Sequence, residues 1–280
     1  MTKTVGIIGG GTMGSGIGYQ AAVAGYEVVI CDVGDDMLRA AQVRVEQWGR
    51  RAVKKGSLQD DELGPVLKRI RYTATIEEVG QAAVVIEAVP EILETKQAAF
   101  ESVAAHVPES TLLCSNTSGL SITSLATAVP YPPRLIGTHF FNPVPVMRLV
   151  EVVRGELTGD AAVDEALAFA RSLDKESIVV KDRPGFVVTR IGQAMINEAI
   201  RCLEEGVADA ESIDRGMRLG YHYPMGPLEL ADLVGLDVEL AILEDLRYRL
   251  GEGFLPPASL RNKVAAGLLG KKTGRGFYQY

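Results

Sequence analysis

The position of His139 suits acid–base chemistry, because it ends an apolar run and a proline-rich loop follows it. Glu151 lies 12 residues later, on the next apolar run. Two strands joined by a short loop can bring such residues side by side, where the carboxylate fixes the imidazole tautomer and stabilises its charged form. The spacing therefore predicts a His–Glu dyad that exchanges a proton with an alcohol or carbonyl group. A buried histidine with a purely structural role is the alternative.

A glycine-rich turn near the N-terminus provides a second kind of chemistry. It has the pattern G-x-G-x-x-G, follows an apolar run and opens a small-residue helical pattern. In that context the turn lets the backbone approach a pyrophosphate, whose charge the helix N-terminus stabilises. The candidate cofactor contacts in this turn are Gly9, Gly11, Thr12, Met13 and Gly14.

Asp32 indicates which dinucleotide would bind. It ends the second apolar run, 18 residues after Gly14. A carboxylate at this place accepts hydrogen bonds from the adenosine ribose and repels the additional phosphate of NADP. We therefore expect NAD as the cofactor, with a turn acid or helix-capping acid as the alternative role for Asp32.

Alternating strands and helices would position these residues. Through residue 183, short apolar runs alternate with helical patterns, which is typical of parallel β-α-β units. We predict an α/β fold with a Rossmann-like, doubly wound, mostly parallel sheet. The predicted strands are 4–9, 27–32, 69–73, 84–89, 111–115, 134–140, 147–153 and 177–181, and the predicted helices are 11–24, 35–55, 91–106 and 160–173.

The pattern changes at the Asp182-Arg183-Pro184-Gly185 segment, after which we find no convincing strand. Helical periodicity is visible from Val188 to Cys202, and residues 209–219 and 228–250 also read as helical. The sequence therefore predicts a cofactor-binding domain at 1–183 and a smaller all-helical domain at 184–280. About 97 residues make a small core, so part of the apolar surface of this second domain is expected to pack on the first domain or on a partner subunit.

Composition disfavours several classes of partner. A formal charge of -7 over 280 residues disfavours general nucleic-acid or membrane-surface binding, which requires positive surface potential. No apolar run has the roughly 18 residues that a membrane span needs. The three cysteines lack metal-ligand spacing. We expect reduced thiols, no metal site, no secretory leader and a cytoplasmic location.

Motifs along the whole chain resemble the 3-hydroxyacyl-CoA dehydrogenase family, and most closely the short bacterial 3-hydroxybutyryl-CoA dehydrogenases. The matching segments are Ser115-Asn116-Thr117-Ser118, His139-Phe140-Phe141-Asn142-Pro143-Val144-Pro145, Leu149-Val150-Glu151, Asp182-Arg183-Pro184-Gly185-Phe186, Pro224-Met225-Gly226-Pro227 and Gly270-Lys271-Lys272-Thr273-Gly274-Arg275-Gly276-Phe277-Tyr278.

This resemblance implies a role for each matching residue. His139 would be the general base of alcohol oxidation, and Glu151 would orient it. Ser118 would hydrogen-bond the substrate 3-oxygen, and Asn116 would help to position cofactor and substrate. The implied cofactor contacts are Glu91, Lys96, Asn116, Ser118 and Lys272. The alternative for Glu91 and Lys96 is that they are an exposed acid and base on one helix. The alternative for Lys272 is a solvated charge.

One position departs from the family pattern. Thr189 stands where the family usually has asparagine. Threonine keeps a hydroxyl but loses the reach and the second donor of the amide. If Thr189 faces the thioester carbonyl, this difference affects recognition of the acyl group more than the chemistry. The alternative is that Thr189 has no contact with the substrate and only begins a helix.

The resemblance also implies an acyl-CoA substrate and a homodimer formed through the helical domain. Lys55 falls where the family places a lysine that contacts coenzyme A, in a basic cluster with Arg50, Arg51 and Lys54. A solvated helix face is the alternative for this cluster. Trp48 lies on the same helix, and its sequence position leaves open whether it contacts an adenine or the protein.

Two other functions remain open from the sequence. The first is a dehydrogenase of the same fold that acts on a hydroxy acid carried by acyl-carrier protein or on a free hydroxy acid, which Thr189 keeps open. The second is a non-enzymatic NAD-binding protein. The presence of Ser118, His139 and Glu151 together argues against this second function.

Overall fold

The computed structural model describes residues 3–280. The chain folds into two compact units, the first ending at Phe186 and the second running from Val187 to Tyr280. The first unit contains a β-sheet with helices on both faces, and the second is helical. None of the helices in the described part of the chain is both long and apolar enough to cross a membrane.

The first unit is organised around an eight-stranded sheet. Its strand order is β3-β2-β1-β4-β5-β6-β7-β8, and every neighbouring pair is parallel except β6 and β7. The strands are β1 (Thr4–Ile8), β2 (Glu27–Cys31), β3 (Ile70–Thr73), β4 (Ala82–Glu87), β5 (Leu112–Ser115), β6 (Leu135–Phe140), β7 (Leu149–Arg154) and β8 (Glu176–Lys181). This order confirms the predicted doubly wound fold. The direction of winding reverses between β1 and β4, where ligands bind in folds of this type.

Helices cover both faces of this sheet. They are α1 (Thr12–Val23), α2 (Asp35–Lys54), α3 (Asp60–Lys68), α4 (Leu93–Ala104), α5 (Ile122–Ala126) and α6 (Asp160–Ser172). Successive strand residues belong to opposite cores, as a period of two requires: Ile7 packs in one and Ile8 in the other. α1, α2 and α6 contribute to the first core, and α4 and α5 contribute to the second.

The second unit packs five helices around a small core of its own. They are α7 (Val188–Glu204), α8 (Ala210–Gly220), α9 (Pro227–Val234), α10 (Leu236–Leu250) and α11 (Ala258–Ala265). The sequence pattern predicted one helix over residues 228–250. The structure has two, because Gly235 interrupts the segment with φ of 111°. Residues with a side chain rarely adopt that angle, so the chain turns here into a new helix.

Two buried aspartates hold the C-terminal segment in the second unit. Asp232 accepts hydrogen bonds from the backbone N–H groups of Phe277 and Tyr278, at 2.9 and 2.8 Å. Asp214 accepts from the Tyr278 hydroxyl at 2.8 Å and from the first turn of α9. The glycine- and aromatic-rich C-terminal motif is therefore a structural part of this unit.

Candidate active site

His139 and Glu151 face each other across the antiparallel β6–β7 pair. The two residues are register partners, and Nδ1 of His139 lies 2.8 Å from Oε2 of Glu151. Both side chains are buried. Because a carboxylate only accepts hydrogen bonds, Nδ1 carries the proton of this contact, and Nε2 is the ring nitrogen left to take a proton from a ligand.

Neighbouring side chains fix the position of the imidazole. The ring centroids of Phe141 and Phe186 lie 4.4 and 5.9 Å from that of His139. Oδ1 of Asn116 accepts a hydrogen bond of 3.0 Å from the backbone N–H of Phe140. Asn116 thus ties the end of β5 to the strand that carries His139, a contact that its sequence position alone did not reveal.

A cleft of about 300 Å³ lies beside the dyad. Six residues proposed from the sequence line it: Met13, Glu91, Lys96, Asn116, Ser118 and His139. Asn142 lines it as well, although no role was predicted for this residue from the sequence. An amide two residues beyond the end of a strand that carries a candidate base was the signal available for it.

The glycine turn has the geometry that a dinucleotide site needs. Gly9 has φ of 98°, and a Cβ there would lie 2.7 Å from the carbonyl oxygen of Ala88. A Cβ on Gly14 would overlap the carbonyl oxygen of Gly9, so glycine is required for α1 to sit against β1. Gly11 faces open space and precedes Thr12, the first residue of α1. The N-terminus of this helix is therefore open to an anionic ligand.

Asp32 follows the last residue of β2 and connects it to the glycine turn. Its Oδ2 accepts from the backbone N–H of Gly10, and its Oδ1 accepts from that of Val33, both at 2.6 Å. The side chain is half-buried. Since each carboxylate oxygen has two lone pairs, these contacts leave acceptor capacity for ribose hydroxyls.

Glu91 organises the loop that carries Ser118. Its Oε1 accepts hydrogen bonds from the Thr117 hydroxyl at 2.5 Å, the Ser118 backbone N–H at 2.8 Å and the Ser118 hydroxyl at 3.2 Å. Partial burial opposes ionisation of Glu91, but the Lys96 charge and these hydrogen bonds outweigh it and lower the pKa of the carboxyl. The loop is therefore held by an ionised acid at the rim of the cleft.

Lys96 is buried rather than exposed, so the alternative of a solvated base on a helix is wrong for this residue. Its ammonium lies 2.7 Å from Oε1 of Glu87 and 3.2 Å from Oε2 of Glu91, and it donates to the carbonyl oxygen of Val89 at 3.1 Å. Only 1% of its side chain is exposed.

Glu87 was not among the residues singled out from the sequence. It is the last residue of β4 and is fully buried. Burial raises the pKa of its carboxyl, while the Lys96 charge and hydrogen bonds from Lys96, Ser115 and Val89 oppose that rise. An acid at the end of an otherwise apolar run was the signal that could have identified it.

The basic cluster near Lys55 lies on the surface of the first unit. Lys55 caps α2 and is exposed, as are Arg50, Arg51 and Lys54. Trp48 packs on the core, and the Arg51 guanidinium lies 5.3 Å from its ring centroid. Contact with the protein therefore accounts for Trp48 in this structure.

Thr189 and Lys272 belong to the second unit. Thr189 is the second residue of α7 and is half-buried. Nζ of Lys272 pairs with Oδ1 of Asp237 at 2.5 Å, and this hydrogen bond lowers the pKa of the Asp237 carboxyl. Lys272 is thus a paired, half-exposed lysine within its own unit.

Comparison with known proteins covers both units. The family model described as 3-hydroxyacyl-CoA dehydrogenase, NAD binding domain, matches residues 4–183. The model described as 3-hydroxyacyl-CoA dehydrogenase, C-terminal domain, matches residues 185–280.

Similar proteins match over nearly the full chain. A probable 3-hydroxybutyryl-CoA dehydrogenase of Bacillus subtilis is 45% identical over 99% of this chain and 97% of its own length. The human mitochondrial hydroxyacyl-coenzyme A dehydrogenase is 40% identical over 100% of this chain and 92% of its own length. The crystal structure of (S)-3-hydroxybutyryl-CoA dehydrogenase PaaH1 from Ralstonia eutropha superposes with a TM-score of 0.96 at 43% identity, covering 100% of this chain and 99% of that one. The chain belongs to the 3-hydroxyacyl-CoA dehydrogenase family.

Proposed function

We propose that this chain is an NAD-dependent (S)-3-hydroxyacyl-CoA dehydrogenase that interconverts short-chain 3-hydroxyacyl-CoA and 3-ketoacyl-CoA. The observation that carries the proposal is the His139–Glu151 contact of 2.8 Å in the wall of a cleft that Met13 of α1 also lines. A proton-exchanging group and the dinucleotide-binding helix thus share one cavity. Relatives named 3-hydroxybutyryl-CoA dehydrogenase support the short acyl chain.

The residues of the first unit fit NAD. Gly11 leaves open space at the N-terminus of α1 for a pyrophosphate, and Asp32 keeps acceptor capacity for the adenosine ribose. Bound NAD supplies the acceptor for the hydride that leaves C3 of the hydroxyacyl group. The negative charge of Asp32 would repel a 2′-phosphate, which favours NAD over NADP.

His139 moves the proton of the reaction. In the oxidising direction Nε2 accepts the proton of the substrate 3-hydroxyl while Nδ1–H remains hydrogen-bonded to Glu151. The resulting imidazolium is stabilised because it lies beside a buried carboxylate, and charge-assisted hydrogen bonds of this kind are strong. In the reducing direction the same Nε2–H returns the proton to the 3-oxygen.

Other residues of the cleft orient the reactants. Ser118 presents a hydroxyl to the substrate 3-oxygen, from a loop that Glu91 holds. Asn116 keeps the end of β6 in place and lines the same wall. Glu91, Lys96 and Asn142 line the cavity where the nicotinamide end of the cofactor would lie.

Two further assignments concern coenzyme A and the acyl group. Lys55 and its exposed basic neighbours offer charge to the phosphates of coenzyme A. We assign Thr189, at the start of α7, to the thioester carbonyl and Lys272 to the cofactor, and each assignment follows from matching motif position in the family. Thr189 offers one hydroxyl where family members offer an amide.

We also propose a homodimer formed through the second unit. Apolar side chains on it are exposed in the single chain, including Ile191 at 65%, Leu219 at 67% and Tyr221 at 71%. Such surface supports association with a second copy because contact would remove it from water.

The three cysteines are free thiols, which supports residence in a reducing compartment such as the cytoplasm.

A substrate screen tests the proposed activity. Consumption of NADH is measured with acetoacetyl-CoA, longer 3-ketoacyl-CoA thioesters, acetoacetyl-acyl-carrier protein and free acetoacetate. We expect the highest kcat/KM with acetoacetyl-CoA. Preference for the carrier-protein thioester or for the free acid would show that the proposed carrier is wrong, and absence of turnover with every compound would contradict the proposed reaction class.

A further inference from the structure

A buried cluster of charged and polar groups lies at the ends of β4 and β5, and one member, Lys96, also lines the cleft. Its centre is Glu87, whose carboxylate accepts hydrogen bonds from the Ser115 hydroxyl at 2.6 Å, the Lys96 ammonium at 2.7 Å and the Val89 backbone N–H at 2.8 Å. Glu87, Lys96 and Ser115 are each no more than 1% exposed. The assigned roles of the cleft residues leave Glu87 unexplained.

A continuous set of contacts joins Glu87 to the loop of Ser118. Lys96 pairs with Glu87 on one side and with Oε2 of Glu91 on the other. The second oxygen of Glu91 then accepts from the backbone N–H and the hydroxyl of Ser118. The position of the hydroxyl that faces the substrate thus depends on Glu91, and the position of Glu91 depends on where Lys96 is held.

A fold-stabilising role alone does not explain this arrangement well. Removing an ion pair from water is costly, and apolar side chains of similar volume often stabilise a core equally well. The cluster also lies at the C-terminal ends of strands beside the reversal of winding, where folds of this class bind their ligands. These two facts favour a role in the site over a role in the core.

We propose that Glu87 is a positioning residue for the dehydrogenase reaction: it anchors Lys96 against Glu91 and thereby holds the Ser118 loop in the cleft. This inference rests on the proposed function for the identity of the reaction. With Glu87 ionised, Lys96 is shared between two carboxylates. When Glu87 is made neutral, the ammonium is attracted to Glu91 alone, and Glu91 is pulled away from its bonds to the loop.

The test compares Glu87→Gln with wild type and with Glu101→Gln, which changes an exposed acid on the same helix as Lys96. We expect Glu87→Gln to lower kcat/KM for acetoacetyl-CoA reduction by about tenfold, the loss typical of one misplaced charge-assisted contact. We expect it also to weaken NADH binding, measured by fluorescence titration without substrate. Glu101→Gln should leave both quantities unchanged.

A double variant separates positioning from general destabilisation. If Glu87 acts through Lys96, then Glu87→Gln combined with Lys96→Met should lower kcat/KM no further than Lys96→Met alone. Additive losses, or a Glu87→Gln protein with a lower melting temperature but unchanged kcat/KM and NADH affinity, would overturn the proposal.

Two further measurements keep the test decisive. If Glu87→Gln does not fold, Ser115→Ala removes only one hydrogen bond to Glu87, and we expect a loss of about threefold in kcat/KM from it. Unchanged kinetics of Ser115→Ala would then count against the proposal. If wild type does not turn over any thioester, the proposed function fails, but weaker NADH binding by Glu87→Gln would still support the anchoring of Lys96.

Discussion

At the scale of single residues, the proposed proton transfer depends on two buried side chains that share a hydrogen bond. Glu151 is fully buried, and His139 is nearly so. Nδ1–H of the imidazole donates to the carboxylate, because a carboxylate only accepts hydrogen bonds. In the proposed reaction, a proton accepted by Nε2 would convert the pair into a buried ion pair that is already hydrogen-bonded, so the carboxylate would stabilise the charged imidazole.

The charge of Glu151 is therefore expected to affect turnover more than binding. Glu151→Gln keeps the size of the side chain and an oxygen that accepts from Nδ1–H, but removes the negative charge. We predict that kcat falls by about 100-fold, at the lower end of what acid–base catalysis contributes, while KM for acetoacetyl-CoA changes little. Steady-state kinetics measure both quantities.

The matched control for this variant is Glu176→Gln, which changes an exposed acid on the neighbouring strand β8. Its kinetics should equal those of wild type. An effect of Glu151→Gln that is confined to KM would contradict the assigned role of Glu151.

Asp32 gives a second prediction at this scale. Asp32→Asn keeps an oxygen for the Gly10 N–H, gives up the acceptor for the Val33 N–H, and removes the charge that would repel a 2′-phosphate. We predict that the ratio of NADP to NAD dissociation constants falls by about tenfold, as expected for the loss of one close charge repulsion. Titration of the variant with each oxidised cofactor measures this ratio. An unchanged ratio would show that Asp32 does not face the ribose.

Some residues of the candidate site were predictable from the sequence, and others were not. The His139–Glu151 contact was predictable because a short connection between two strands restricts their register. The glycine turn was predictable because its residue types reflect backbone geometry. Glu87 and the Asn116–Phe140 contact were not, because each joins elements that are distant in the chain, and only the strand order brings them together.

At the scale of elements, buried strands were the easiest to predict. Runs such as residues 82–86 are apolar on both faces, since helices cover the sheet on either side. α3, α5 and α11 were missed, because nine, five and eight residues are too few to display a helical period. The break at Gly235 was missed because apolar residues continue at helical spacing on both sides of it.

The contact between α7 and α10 contains a buried acid that predicts a pH effect. Burial raises the pKa of Glu239 to about 7, and a hydrogen bond from Gln193 only partly opposes this. Among the described residues, Oε1 of Glu239, Oε1 of Gln193 and Oδ1 of Asn197 have no hydrogen-bond partner. A protonated Glu239 would supply a donor beside the amide of Gln193.

The sign of the effect follows from proton binding. Between the ordinary pKa of a glutamic acid and about 7, the folded chain holds this proton more tightly than the unfolded chain does. The free energy of unfolding should therefore decrease as pH rises through this range, by on the order of 3 kcal/mol in total. Above it, the folded chain carries the full cost of a buried charge.

Glu239→Gln tests this effect because it supplies a neutral side chain with donors at every pH. We predict that the variant matches wild type near pH 5 and unfolds at a higher temperature near pH 8, as measured by thermal denaturation. Glu244→Gln, at an exposed position of α10, serves as the control. An equal difference between Glu239→Gln and wild type at both pH values would contradict the assigned pKa.

At the scale of the whole molecule, the residues that line the candidate cleft lie in the first unit, and the surface proposed for dimerisation lies in the second. The dyad, the glycine turn and Asp32 belong to the first unit. The second unit has its own small core and keeps large apolar side chains exposed in the single chain. This distribution was predictable in outline, since the sequence changes from strand–helix alternation to helices alone. The surface that a second copy would cover was not predictable, because it depends on tertiary packing.

The proposed homodimer is tested by mass in solution. Wild type should have twice the 30.0 kDa mass of the chain when measured by light scattering after gel filtration. Leu219→Asp places a charge on the exposed apolar surface of α8 and should shift the mass toward that of one chain, since burying an unpaired charge is costly. Leu157→Asp, at an exposed position of the first unit, should leave the dimer intact. A monomeric wild type would contradict the proposal.

The most direct test of proton transfer by His139 is the effect of His139→Ala on NADH-dependent reduction of acetoacetyl-CoA, measured together with NADH affinity. We predict that turnover falls by at least about 100-fold, the contribution expected of a general acid–base group, while the dissociation constant of NADH stays within a factor of about two. Turnover that persists near the wild-type rate, with NADH still bound, would contradict the assignment of proton transfer to this imidazole.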